Sequence, residues 1–253
     1  EETFRKLETE ILAEQGKRVL LCDFDPQANS TSGMGVDKTV TPNCYDLLMN
    51  GAAAADCIRS TKYGDVLPAN MNLSGCSVEL VGSQQREYIM KNALAPVQAD
   101  YDFILIDCPP SLGLLTVNAL TAADYLLIPT MAETFAASGI TQLYDTYKSV
   151  KKYTNPALRI DGVLLTRTER TRVTKTIQEL TGKIAEYMGA DVYRTTIRSN
   201  VIIKEAQAVQ ENVFDYIESK AQTKGERVSE ASRNFVNDCL NFVKEFVEKE
   251  REK

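Results

Sequence analysis

Asp23-Phe24-Asp25-Pro26 and Asp107-Cys108-Pro109-Pro110 place carboxylates directly after two short apolar runs, Val19-Leu20-Leu21-Cys22 and Phe103-Ile104-Leu105-Ile106. Apolar runs of this length, continuous rather than alternating, read as strands buried on both faces of a parallel sheet. Ligands of open α/β sheets sit beyond the carboxyl ends of the strands, which is where these carboxylates fall. A protein-bound Mg²⁺ keeps much of its water and takes one or two carboxylates beside phosphate oxygens, so Asp25 and Asp107 are candidate metal ligands. Asp23 lies two residues before Asp25. If the strand persists that far, both side chains point to one side, one to orient an attacking water and the other to hold the ion's water shell. A lone strand-end Asp usually marks a chain leaving the core, whereas two such clusters point to function.

The elements that position these residues follow from periodicity. Residues 3–15 read as a helix with Phe4, Leu7, Ile11 and Leu12 on one side, stopped at Gly16. Strand 18–23 leads into the polar loop Asn29-Ser30-Thr31-Ser32-Gly33. Residues 43–100 read as short helices, one over roughly 84–95, with a weak strand near 65–69. The second buried strand is 102–107, a short helix covers 114–122, and a third apolar run at 125–128 is stopped by Pro129. Helix 137–152, strand 160–166, helix 172–188, an extended piece at 192–197, a small helix at 202–208 and a helix over 226–250 complete the chain. The expected apolar stripes are Val173, Ile177, Leu180, Ile184 and Met188, then Val228, Ala231, Phe235, Cys239, Phe242 and Phe246. Strands alternating with helices predict an α/β fold, a doubly wound, mainly parallel sheet with helices on both faces.

Composition narrows the chemistry. At 253 residues, 43% hydrophobic and 25% charged, the chain suits one large α/β domain spanning 1–253. It has no histidine, which removes Ser-His-Asp and Cys-His catalysis and His-ligated zinc together. Six cysteines without a CxxC pair read as buried, reduced thiols. No apolar stretch approaches the ~20 residues of a membrane span, so a cytoplasmic protein is expected.

The stretch from Leu12 to Ser32 closely resembles the ParA/Soj partition ATPases, deviant-Walker P-loop NTPases, and so does Tyr101 to Val117. Asn155-Pro156 with Ile160 to Thr166, Val192 to Thr195, and Glu205-Ala206 extend the likeness over nearly the whole chain. The resemblance implies that Asp25 matches the Walker A′ aspartate, Asp107 the Walker B aspartate and Asp23 a water-orienting residue, with Asp107 and Pro109 on the cofactor side. It further implies ATP and Mg²⁺ as cofactors, a nucleotide-dependent homodimer, DNA binding without sequence preference, a ParB-type partner and association with the nucleoid. The mixed charges of the last helix speak for packing on the domain rather than the membrane anchoring of the MinD branch. The position of Cys108 inside the strand-end motif speaks against the Fe–S reductase branch.

One family feature has no counterpart here. No segment fits K-G-G-x-G-K-[ST]-[ST], the loop whose backbone N–H groups and lysine cradle the phosphates. On the family's spacing Glu1 falls at the place of the loop lysine, so the first strand and loop are expected upstream of residue 1, with a degenerate relative as the alternative. The chain as given is expected to bind ATP·Mg weakly or not at all and not to hydrolyse it. The function expected is therefore a ParA-like ATPase of DNA partitioning. The competing reading is a non-catalytic scaffold or DNA-binding interaction protein of the same fold.

From Arg159 to Lys204 nine Lys/Arg face five Asp/Glu, so this segment is +4 in a chain of −6 and the remainder is −10. Arg167, Arg170, Arg172 and Lys175 gather at a strand-to-helix turn, and Arg194 and Arg198 lie on the later extended piece. Such an excess suits phosphate contacts and salt-sensitive binding, though charge runs are more often solvated helix faces. The family's Ile-Pro-Arg-Asn-Val reads Ile197-Arg198-Ser199-Asn200-Val201 here, and no base contact is assigned.

Overall fold

The structure is a computed structural model that describes residues 2–131, 136–169, 172–209, 213–223 and 229–251. The chain divides into two compact units, Glu1–Asp124 with Ser149–Leu158, and Tyr125–Lys148 with Arg159–Lys253.

The first unit contains α1 (Glu2–Glu14), β1 (Val19–Asp23), α2 (Asn29–Gly33), α3 (Cys44–Met49), α4 (Ala54–Cys57), β2 (Arg59–Thr61), β3 (Gly64–Leu67), α5 (Leu73–Glu79), α6 (Ile89–Leu94), β4 (Phe103–Asp107) and α7 (Leu114–Ala122). Its sheet runs β2-β3-β1-β4, with β3, β1 and β4 parallel and β2 antiparallel on the edge. β1 is central and buried along its whole length, as its unbroken apolar run predicts. The hairpin strand β2 escapes the apolar reading because Arg59-Ser60-Thr61 is polar and only partly buried. Its partner β3 starts at Gly64, whose φ of +117° is open to glycine but not to side chains, and an added Cβ would press on Val19 O at 3.2 Å. α6 is shorter than the expected 84–95, and Gln85 before it adopts φ 50°, a left-handed conformation no helix tolerates. Leu20, Phe24, Leu67, Leu73, Leu80 and Met90 form the centre of the core, joined by the thiols of Cys22, Cys44, Cys57 and Cys76. Burial pushes these thiols up, Cys76 to about 12, so they remain protonated. α1 buries Glu8, Thr9 and Glu10 beside the expected Ile11 and Leu12, so its covered surface is wider than one apolar stripe. Asn155, buried near the end of this unit's chain, donates its amide to the carbonyls of Leu120 (3.1 Å) and Ala123 (2.7 Å) and so closes the end of α7.

The second unit contains β5 (Tyr125–Met131), most of α8 (Ala136–Tyr153), β6 (Arg159–Thr166), α9 (Arg172–Met188), α10 (Ile202–Ala208), α11 (Val213–Thr223) and α12 (Glu230–Arg251). β5 and β6 pair in parallel, with an irregularity at Leu126/Leu127. β5 continues through Pro129 to Met131 instead of stopping there. Pro129 stands in register with Leu164 of β6, and its missing N–H forgoes a ladder bond without ending the strand. Residues 191–199 run along the other side of β6, with Val163 N–H donating to Asp191 O (2.8 Å), Ile197 N–H to Leu165 O (2.9 Å) and Thr168 N–H to Ile197 O (3.0 Å). Gly162 permits this approach, since a Cβ there would lie 2.8 Å from the Tyr193 ring. The core joins Ile128, Ile140, Val163, Ala185 and Met188. In α9 Leu180 is exposed and Thr174, Ile177, Thr181, Ala185 and Met188 are buried, a stripe rotated from the expected one. In α12 the buried face runs from Ser232 and Phe235 to Phe246 and Val247, Ala231 is exposed, and Val228 lies outside the described residues. No helix among the described residues is long and apolar enough to cross a membrane.

Candidate functional site

Asp23 and Asp107 are register partners at the carboxyl ends of β1 and β4. The ladder continues one step further, where Phe24 N–H donates to Asp107 O at 2.9 Å. Both carboxylates are buried, as is Asp25.

β1 ends at Asp23, so Asp25 lies in a turn rather than two steps along a strand. The two side chains accordingly take different surroundings. Asp23 Oδ2 accepts the Thr31 N–H and the Thr31 hydroxyl, both at 2.7 Å, and Asp23 Oδ1 accepts the Asp25 N–H at 3.1 Å. Thr31 Oγ1 in turn accepts the Ala69 N–H at 2.9 Å, and the Cys44 thiol donates to Asp23 O at 3.0 Å. Asp23 therefore organises the loop that follows its own strand. Burial raises its pKa from 3.8 to about 7, and the neighbouring Asp107 charge adds to the rise, against the hydrogen bonds from Thr31 and Asp25.

Asp25 Oδ1 accepts the Gln27 N–H at 2.9 Å, and Asp25 O accepts the Ala28 N–H at 2.8 Å. This turn forces Ala28 to φ 53°. The chain then enters α2, whose Ser30 hydroxyl donates to Asp107 Oδ2 at 2.6 Å. Ser30 and Thr31 thus tie α2 to the two strand ends. The composition of residues 29–33 marks only a polar loop, and the hydroxyls seven and eight residues after Asp23 are the signal within it. Pro109 follows β4 and is half-buried.

The donor set suits a hydrated Mg²⁺: hard carboxylate oxygens of Asp25 and Asp107 close to the loop, with the remaining positions left to water and phosphate. Among the described residues no group of three or more His, Cys, Asp or Glu could hold a metal unaided. No Gly-rich loop that would neutralise a triphosphate occurs within the 253 residues.

The basic residues lie in the second unit. Arg167 follows β6 at φ 51° and is exposed, as are Lys175 on α9 and Arg194. Arg170 lies outside the described residues, and Arg172 is the first residue of α9. Lys175, Arg194 and Arg198 share a cleft of about 890 Å³ with four threonines, Glu169 and Gln178, and Asp238 and Asn241 of α12. Arg198 is held more tightly than Arg194, its guanidinium meeting Asp238 at 2.7 Å whereas that of Arg194 reaches Glu245 at 3.4 Å. The acidic groups of α12 were hidden in the sequence by the aromatic stripe that surrounds them.

An AAA-domain family model matches residues 6–160. The sporulation initiation inhibitor protein Soj of Bacillus subtilis is 46% identical over 198 residues, covering 77% of this chain and 78% of the relative. The chromosome-partitioning ATPase Soj of Treponema pallidum is 46% identical over 197 residues, covering 77% and 76%. Among solved structures, a cobyrinic acid a,c-diamide synthase from Mycobacterium smegmatis with bound ADP and magnesium superimposes with a TM-score of 0.72 at 32% identity, over 89% of this chain and 91% of that one. The fold is thus the expected doubly wound, mainly parallel α/β arrangement of P-loop NTPases. With strand-end aspartates in the family's order and this identity across three quarters of its length, the chain belongs to the ParA/Soj family of partition ATPases.

Proposed function

We propose that the protein acts in DNA partitioning as a ParA-type nucleotide switch whose Mg²⁺-holding carboxylates are Asp25 and Asp107. The observation that carries this reading is the register pairing of Asp23 with Asp107, each bound by a hydroxyl of α2. Asp23 fixes the loop, Asp107 and Asp25 supply oxygens to the ion's water shell, and Pro109 lines the cofactor side. A bound Mg²⁺ would supply charge stabilisation to a phosphoryl group and orientation to its attacking water. The polypeptide of 253 residues lacks the phosphate cradle, so it binds ATP·Mg weakly or not at all and does not turn it over. Robust Mg²⁺-dependent hydrolysis by this polypeptide, abolished in Asp107→Ala, would refute that statement.

DNA without sequence preference is the proposed polyanion, bound by Arg167, Arg170, Arg172, Lys175 and Arg194, with Arg198 beside them. A nucleotide-dependent homodimer, a ParB-type partner and a cytoplasmic, nucleoid-associated location complete the proposal. Substituting Arg170, Arg172 and Arg194 by Glu abolishes retention of random-sequence duplex DNA on this reading. An unchanged salt-dependent affinity rules it out. The alternative reading is a non-catalytic scaffold or DNA-binding interaction protein of the same fold. Retained DNA binding without any nucleotide response supports that reading over the first.

A further inference from the structure

α12 buries its aromatic residues but carries two carboxylates on the same face. Asp238 and Glu245 are seven residues apart, about two helical turns, and are 7% and 9% exposed. Charged groups this buried must be paired, and both pair with the 191–199 track, in different ways.

Glu245 takes backbone. Its Oε1 accepts the Arg194 N–H at 2.9 Å, and its Oε2 accepts the Thr195 N–H at 3.0 Å and the Thr195 hydroxyl at 2.8 Å. The Arg194 side chain reaches Glu245 only at 3.4 Å and is 85% exposed, so its charge stays available to solvent. Asp238 takes the side chain instead. Arg198 Nε donates to Asp238 Oδ2 and Arg198 Nη2 to Asp238 Oδ1, each at 2.7 Å, and the Arg198 N–H adds a contact at 3.2 Å. Two parallel charge-assisted bonds of that length form the strong, orientation-fixing version of an ion pair. The pair lines the same cleft as Lys175, Arg194 and Glu169, so with Arg198 neutralised the cleft keeps one net positive charge and gains a second when Asp238 is removed.

We propose that Asp238 is a charge-masking, positioning residue: it neutralises Arg198 and holds its fork against α12, so the cleft meets a polyanion with Lys175 and Arg194 while Arg198 stays in reserve. This rests on the DNA reading above. It inverts the usual consequence of breaking an ion pair, because removing the acid raises function. Each phosphate contact steepens the dependence of log affinity on log salt by about 0.9. One released cation therefore tightens binding ~8-fold at 0.1 M salt relative to 1 M.

The test is fluorescence anisotropy with labelled random-sequence duplex DNA over a series of salt concentrations, using the full chain. Asp238→Asn keeps an acceptor for the Arg198 N–H but loses the charge, and should bind more tightly with the steeper slope. Arg198→Met alone unmasks the Asp238 carboxylate and should weaken binding, whereas in the Asp238→Asn background, where both charges are gone, it should cancel the gain and restore wild-type affinity and slope. Equal or weaker binding by folded Asp238→Asn overturns the proposal, as does a double variant Asp238→Asn/Arg198→Met that binds more weakly than the wild type. Should Asp238→Asn fail to fold, the double variant, which leaves no unpaired charge, decides alone by the same criterion. If the wild type does not bind DNA, the DNA reading fails. The masking role then stands only if Asp238→Asn acquires salt-sensitive binding, and falls if it does not.

Discussion

Replacing Asp23 by Asn should remove most of the pH dependence of stability between pH 5 and 8. Asp23 titrates near 7 in the folded protein and at 3.8 in an open chain. Between those values the unfolded chain has released the proton and the folded protein keeps it. Stability is therefore highest below the open-chain value, falls as pH rises, and levels off above about 7. The span is worth ~4 kcal/mol in full, of which ~3 kcal/mol falls between pH 5 and 7, at about 1.4 kcal/mol for each tenfold change in proton activity. The window is unusually clean because the chain has no histidine. Asn keeps an oxygen for the two Thr31 donors but turns an amide NH₂ toward the Asp25 N–H, so the variant also loses about 1–2 kcal/mol at acidic pH. Urea unfolding midpoints at several pH values, measured on both proteins in the same buffers, separate the two effects. The wild-type midpoint should fall across the window and the variant's should stay level. Parallel curves would show that burial does not hold a proton on Asp23.

Ser30→Ala removes the hydroxyl that donates to Asp107 and should cost about 1.5–3 kcal/mol, read from urea unfolding at neutral pH. Gln85→Gly relieves a left-handed backbone on the surface and should raise stability by about 0.5–1 kcal/mol, after the added freedom of the unfolded glycine; a lower melting temperature contradicts it. Burial raises the Glu245 carboxyl, but the N–H groups of Arg194 and Thr195 and the Thr195 hydroxyl outweigh it, so the group sits below its ordinary 4.5. Its contribution is complete above that value and disappears as pH falls through the lower, folded one. Glu245→Gln should therefore blunt the acid lability of the second unit, followed by amide exchange at Arg194 and Thr195.

The strands that carry the candidate site were readable because a strand covered on both faces needs an unbroken apolar run, as in Val19–Cys22 and Phe103–Ile106. The aspartates were readable for the converse reason, since a carboxylate ends such a run abruptly. Their division of labour was not. Alternation placed Asp23 and Asp25 on one side, but the turn at Asp25 begins where β1 stops, and Asp23 is enclosed by Thr31. Local pattern also failed where partners come from far along the chain. Nothing near Arg198 announces Asp238, forty residues later, because acids on the buried side of a helix are masked by Phe235, Phe242 and Phe246. The rotation of the α9 stripe away from Leu180 has the same origin: periodicity gives the angular width of a covered face, while the packing partner selects its centre.

The distribution of thiols gives the molecule an internal clock for each half. Cys22, Cys44, Cys57 and Cys76 are enclosed in the first unit and Cys239 in the second, all reduced and protonated. An alkylating reagent in excess would modify them only during excursions that open their surroundings, at a pace set by how often each half comes apart. Mass spectrometry of timed samples would then assign separate opening free energies to the two halves from one unlabelled preparation.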